Sequence, residues 1–89
     1  MSIAFPNRSR SYDAAAQRVR FLGHDGMLEV KFFIGLDALA KTASAKVSSE
    51  KDALSAFDDK RRLILEAAEK AYARSKRNNM CVLTAGDFH

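Results

Sequence analysis

This chain of 89 residues is poor in the side chains that build covalent or metal-bound frameworks. It has one cysteine, Cys81, so no disulfide can form within the chain. Its two histidines, His24 and His89, show no paired spacing with that cysteine, which is a poor basis for a tetrahedral metal site. Because a lone thiol is typical of proteins in reducing compartments, a cytoplasmic location is predicted.

The chain also lacks long apolar runs and the common signatures of enzymes. No segment approaches the roughly 20 consecutive apolar residues that span a bilayer, so no membrane association is predicted. It has neither a glycine-rich phosphate loop nor a serine nucleophile elbow. We therefore predict no catalytic residue, no cofactor and no metal site, and we expect a protein that is not an enzyme.

The composition predicts a single globular domain over residues 1–89. Hydrophobic residues make up 47% of the chain and charged residues 29%, a balance unlike that of disordered proteins. Lysine and arginine number 15 against 11 acidic residues, which gives a net charge of +4. A moderately basic domain can bind nucleic acid or anionic surfaces, but this charge does not require either partner.

Two segments of alternating hydrophobicity flank Asp25-Gly26, and this pattern predicts a β-hairpin. A two-residue loop at Asp25-Gly26 sets Phe21 opposite Val30, whereas a loop of odd length would split the apolar face. The apolar side chains that then share one face are Val19, Phe21, Val30 and Phe32.

The same register places Arg20 opposite Lys31 on the other face of the hairpin, close to Arg18 and Phe33. Such a face is either solvated or in contact with an anion such as nucleic acid, with Phe33 stacking on a base. Arg18, Arg20 and Lys31 are therefore candidate anion-contacting residues. An outward Phe33 also suggests dimerisation through an uncovered sheet face.

The remaining pattern predicts an α+β fold in which a small antiparallel sheet packs on one long helix. Ser48 or Ser49 caps the long helix, and Asp37 caps a shorter helix. Residues 1–11 are predicted to be irregular. The predicted elements are the hairpin at 18–34, the short helix at about 36–42, the long helix at about 49–77 and a strand at 80–84.

Arg61 is the least expected residue of the long helix, because it falls within the apolar stripe beside Phe57 and Ile64. A buried guanidinium needs a partner. One interpretation is structural: Arg61 pairs with Asp87 or Asp13, or extends past the edge of the stripe. The other is functional: Arg61 binds a small anionic molecule. The sequence leaves both interpretations open.

The C-terminal segment Leu83–Phe88 is predicted to close the domain. Thr84 caps a turn or short helix, Asp87 bonds back to that cap, and Phe88 enters the core. A catalytic role for Asp87 is disfavoured, because no second carboxylate lies near it in the sequence.

Several spaced features together resemble an uncharacterised bacterial family, domain of unknown function 1488. The resemblance covers nearly the whole chain, and the order and spacing of the features carry it. It implies a small α+β domain and brings no activity, substrate or cofactor. The features are Phe5-Pro6, Ser11-Tyr12-Asp13, Val19-Arg20-Phe21, Asp25-Gly26, Phe57 with Arg61 and Ile64, and Leu83–Phe88.

The sequence favours a non-enzymatic interaction or accessory domain that acts in the cytoplasm and self-associates or binds an unknown protein. One alternative is weak nucleic-acid binding through the basic outer side of the hairpin. A second alternative is binding of a small anion at Arg61.

Overall fold

A computed structural model describes residues 3–5, 10–43, 46–75 and 80–88. The strands are β1 (Arg10–Asp13), β2 (Arg18–Asp25), β3 (Leu28–Gly35) and β4 (Met80–Leu83). The helices are α1 (Leu36–Ala43), α2 (Glu50–Asp59) and α3 (Arg61–Ser75), followed by a 3₁₀ turn at Ala85–Asp87. The strands form one sheet in the order β1-β2-β3-β4, and the helices pack on it. The predicted α+β fold is confirmed.

The hairpin has a loop of even length, as predicted, but the turn is Gly26-Met27 and not Asp25-Gly26. Asp25 pairs with Leu28, and Phe21 therefore pairs with Phe32 instead of Val30. Gly26 has a φ of 63°, which suits the first central position of a type II′ turn. The predicted register is wrong by two residues. The predicted faces are right, because an even shift keeps every side chain on its side of the sheet.

The predicted apolar face forms the centre of the core. Val19, Val30 and Phe32 are fully buried, and Phe21 is 2% exposed. The Phe21 and Phe32 rings stack with centroids 5.3 Å apart. Phe57 from α2 packs on Phe21 at 5.0 Å. The hairpin and the helices are thus joined through aromatic contacts on one side of the sheet.

A side-chain hydrogen bond ties α3 to the end of β2. The Tyr72 hydroxyl donates to Asp25 Oδ2 at 2.6 Å. This bond, together with burial, raises the pKa of Tyr72. The contact holds the turn end of the hairpin against the last helix.

The sheet is mixed, so the prediction of a purely antiparallel sheet is wrong. β4 lies at the predicted position but pairs parallel with β3. Parallel neighbours need a crossover connection, and the helical segment between β3 and β4 supplies it. β1 begins at Arg10, within the segment 1–11 that was predicted to be irregular, and continues to Asp13. It pairs antiparallel with β2.

The long helix predicted at 49–77 is two helices with a break at Lys60, whose φ is −112°. Asp58 and Asp59 precede the break, and aspartate is a weak helix former. Ser49 caps α2 as predicted, since its Oγ accepts from the Asp52 amide at 3.1 Å. Residues 76–77 lie outside the described residues.

The shorter helix α1 matches its predicted position, with Asp37 in its first turn and not at the cap. The C-terminal closure is confirmed: the Thr84 amide donates to Asp87 Oδ2 at 2.8 Å, and Phe88 is buried. No helix in the described ranges is both long enough and apolar enough to cross a membrane.

Gly23 lies where the N-terminal segment crosses the core side of β2. A Cβ atom at this position would lie 2.8 Å from Phe5 Cε1, 2.9 Å from Phe32 Cε2 and 3.0 Å from Ile3 Cγ1. Contacts this short require the rings to move within a close-packed core. The absence of a side chain at Gly23 therefore allows the aromatic packing.

We predict that Gly23→Ala lowers the free energy of unfolding by about 1–3 kcal/mol, the usual cost of overpacking a core. Gly86→Ala is the matched control, because its Cβ would meet only Thr84 Oγ1 at 3.6 Å. Urea denaturation measures both. Equal stabilities of the two variants would show that the close approach at Gly23 does not constrain the core.

Candidate interaction surface

We call the side of the sheet opposite the core the outer sheet face. Its residues alternate with the core residues along each strand. The main core cluster, to which the helices contribute, includes none of them, not even the buried Phe33. The outer sheet face consists of Ser11, Asp13, Arg18, Arg20, Leu22, His24, Glu29, Lys31, Phe33, Met80 and Val82.

Two neighbouring rows cross the outer sheet face from β2 to β4. The first row is Arg20, Phe33 and Val82. The second row is Leu22, Lys31 and Met80. Arg20 and Lys31 are therefore diagonal neighbours, about 7–8 Å apart. The prediction that they lie directly opposite is wrong, because the observed register of the hairpin differs from the predicted one by two residues.

Phe33 faces outward as predicted, but its ring is covered. The Arg18 guanidinium lies 3.8 Å from the ring centroid, and Phe33 is only 6% exposed. Arg18 Nε donates to Asp13 Oδ2 at 3.2 Å. The other oxygen of Asp13 accepts from the Ala16 amide in the turn between β1 and β2. Arg18 is thus held by a carboxylate on one side and an aromatic ring on the other.

Arg20 and Lys31 are the accessible cations of the candidate set. Both are exposed, and neither forms an ion pair with a residue in the described ranges. Met80 is 50% exposed and Val82 is 47% exposed. A shallow depression of about 420 Å³ is lined by Arg20, Lys31 and Met80 and also touches Ser11, Tyr12 and Asp13. The surface therefore offers two cations bordered by apolar side chains and hydroxyl groups.

Arg61 pairs with Asp58 at 3.4 Å, so the predicted pairing with Asp87 or Asp13 is wrong. Its guanidinium also lies over the Phe57 ring, 4.9 Å from the centroid, and its side chain is 18% exposed. The same carboxylate accepts two hydrogen bonds from Arg10, at 3.0 and 2.7 Å. Asp58 thus joins β1 to the junction between α2 and α3.

The electrostatics of this cluster are set by Asp58. Its pKa is held below the ordinary aspartate value, mainly by the hydrogen bonds from Arg10 and to a smaller extent by Arg61. The same bond raises the pKa of Arg10. Asp58 is therefore ionised at neutral pH, and Arg61 has a carboxylate partner that balances its charge.

Asp87 and Cys81 belong to a second group of side chains, near the C-terminal end of the chain. Asp87 pairs with Arg74 and accepts the capping bond from Thr84. Cys81 is buried, and it lines a depression of about 320 Å³ together with Arg74 and Asp87. Arg61 does not line that depression. Within the described ranges, no three histidine, cysteine or acidic side chains converge as metal ligands.

The structure defines a small α+β domain with helices on one side of a four-stranded sheet and an outer face without a helix in the described ranges. The family model described as "Protein of unknown function (DUF1488)" matches residues 3–83, and the chain belongs to this family. The predicted resemblance is thereby confirmed. No curated protein matches the chain.

A solved structure shares the fold. It is the crystal structure of a protein of unknown function from the same family, from Shewanella loihica PV-4. The TM-score is 0.79 at 24% sequence identity, and the match covers 92% of this chain and 91% of that chain. The likeness shows that both chains have the same architecture.

Sequence reasoning missed the apolar part of the outer sheet face, namely Leu22, Met80 and Val82. Every residue of β4 is apolar, so alternation could not tell which side chains point outward. In β2 the signal was present. Val19 and Phe21 point to the core, so the alternation of side chains along a strand places Leu22 on the outer sheet face.

We predict that Arg61→Ala lowers the free energy of unfolding by about 1 kcal/mol, since it removes an ion pair and a contact with the Phe57 ring. Arg62→Ala is the control, because Arg62 is exposed on the same turn of α3. Thermal and urea denaturation measure both variants. Similar stabilities would contradict a structural role for Arg61.

We also predict that Asp58→Asn destabilises the protein at neutral pH and that the difference from wild type shrinks in acid. A depressed pKa in the folded state contributes stability above the unfolded-state pKa, and this contribution is lost as the pH falls through the folded-state value. Urea denaturation at a series of acidic pH values measures the difference. A difference that stays constant with pH would contradict the ion-pair account.

Proposed function

We propose that this protein is a non-enzymatic interaction domain of the bacterial cytoplasm and that a partner protein binds its outer sheet face. The observation that carries this proposal is the pair of exposed cations, Arg20 and Lys31, beside the half-exposed side chains of Met80 and Val82. The core is complete without these four residues. Folding alone therefore does not account for their placement.

The composition of this surface suits a protein partner. Val82 and Met80 are neighbours of Phe33 and Lys31 on the adjacent strand, so apolar and cationic side chains alternate across the two rows. Contiguous exposed apolar side chains on a sheet mark interaction sites, and arginine is enriched in protein interfaces. The buried Cys81, the one cysteine of the chain, is compatible with a reducing cytoplasm.

Nucleic acid fits this surface less well. Sheet surfaces that bind single strands stack bases on open aromatic rings, and the Phe33 ring lies beneath Arg18. Arg18 is already paired with Asp13. Among the described arginines and lysines of this face, Arg20 and Lys31 then remain to contact phosphates, which is a small electrostatic contribution.

A second copy of this chain also fits less well. A two-fold interface places the same patch on both subunits, so Arg20 and Lys31 would face the same two cations of the other copy. Like charges in direct opposition are destabilising. Complementary charge instead favours a different protein with an acidic surface.

The test is site-specific photo-crosslinking in cells that express the protein natively. Benzoylphenylalanine replaces Val82 in one variant and Leu63 in a matched control, because both side chains are 47% exposed and Leu63 lies on α3. We expect an adduct of one defined mass from position 82 and none from position 63. The adduct should be sensitive to protease and resistant to nuclease.

Three results would contradict the proposal. Adducts that form equally at both positions, or at neither, would remove the outer sheet face as a docking surface. An adduct of twice the chain mass would show self-association in its place. An adduct that nuclease removes would show nucleic-acid binding.

A further inference from the structure

We propose that the segment bound at the outer sheet face is extended and acidic, with two carboxylate side chains at alternate positions that pair with Arg20 and Lys31. This inference rests on the proposed function and names the chemistry of the partner. It is carried by the diagonal placement of the two cations and by their surroundings.

The spacing of the cations matches an extended chain. Diagonal neighbours on adjacent antiparallel strands lie about 7–8 Å apart. Alternate residues of an extended segment point to the same side and lie about 6.8 Å apart, because each residue advances the chain by about 3.4 Å. Adjacent residues point to opposite sides, so two consecutive acidic residues cannot both reach the sheet.

The carboxylates at both ends of the diagonal limit the acidic positions to two. Glu29 lies two residues before Lys31 on the same side of β3, so a further carboxylate beside Lys31 would be repelled. The line from Lys31 through Arg20 continues to Asp13 on β1, because Asp13 is the diagonal neighbour of Arg20 on that strand. A third carboxylate at that end would meet the carboxylate of Asp13. Arg18 does not relieve this repulsion, since it is already paired with Asp13.

Apart from Glu29 and Asp13, the neighbours of the two cations within their rows are apolar or hydroxylic. Leu22 is the direct cross-strand partner of Lys31. Val82 lies in the same row as Arg20, on the far side of Phe33. Ser11 is the direct cross-strand partner of Arg20, and its hydroxyl borders the same depression. A carboxylate on Arg20 would thus have a hydroxyl donor nearby, and apolar flanks of the segment would meet Leu22 and Val82.

Two synthetic peptides of equal composition and charge test the proposal. In Leu-Ser-Glu-Ser-Glu-Ser-Leu the two glutamates and both leucines point to one side of an extended chain. In Leu-Ser-Ser-Glu-Glu-Ser-Leu the glutamates point to opposite sides. Titration followed by two-dimensional NMR of the labelled full-length protein measures weak affinities and shows which amides respond.

We expect the dissociation constant of the alternating peptide to be lower than that of the other peptide by a factor of about three or more, because one additional exposed ion pair produces a change of this size. The Arg20→Gln/Lys31→Gln double variant should lose this preference. Arg62→Gln removes a cation from the exposed side of α3 and should keep it. Added salt should weaken the binding of the alternating peptide, because exposed charges are screened.

Equal affinities for the two peptides, or a preference that survives the double variant, would overturn the acidic-segment proposal. A single-stranded oligonucleotide that binds more tightly than the alternating peptide would also overturn it. Equal peptide affinities together with a protein adduct from position 82 would leave the proposed function standing. The two failures are therefore distinguishable.

Discussion

The pairing of β2 with β3 is the constraint on which the rest of the structure depends. Eight residues of each strand pair, and this register sorts every side chain of the hairpin to one of two sides. On one side it stacks Phe21 on Phe32, and the helices close over them. On the other it brings Arg20, Phe33 and Lys31 together. Gly23 permits this register, because any side chain there would collide with the Phe32 ring.

The residues that build the core and the residues of the proposed binding surface thereby lie on opposite sides of one sheet. The charged residues that sequence reasoning singled out divide in the same way. Arg61 is committed to Asp58, and Asp87 to Arg74 and Thr84. Arg18 is committed to Asp13 and to the Phe33 ring. Of the cations that sequence reasoning singled out, Arg20 and Lys31 form no ion pair with a described residue, and they lie beside the exposed apolar side chains of β4. The proposed function rests on this coincidence.

The sequence predicted the features that follow from local periodicity and capping. Alternation predicted the two faces of the hairpin, and Ser49 and Thr84 predicted where a helix and a turn begin. The turn position could not be predicted, because Asp25-Gly26 and Gly26-Met27 both keep the faces together. Aromatic stacking selects between them. The parallel direction of β4 depends on how the helices cross over, which is not a property of local sequence. The pairing of Arg61 with Asp58 is an i,i+3 contact, so its spacing was present in the sequence; the second partner of Asp58, Arg10, is far away in the sequence and could not be predicted from it.

The central claim is that the outer sheet face is open in the isolated protein and covered by a partner in the cell. Thiol labelling of Val82→Cys in a Cys81→Ala background tests it, with Leu63→Cys in the same background as the reference of equal exposure. The account predicts fast labelling at both positions in purified protein and slower labelling only at position 82 in concentrated native cytosol. Equal rates at position 82 in purified protein and in cytosol would contradict it.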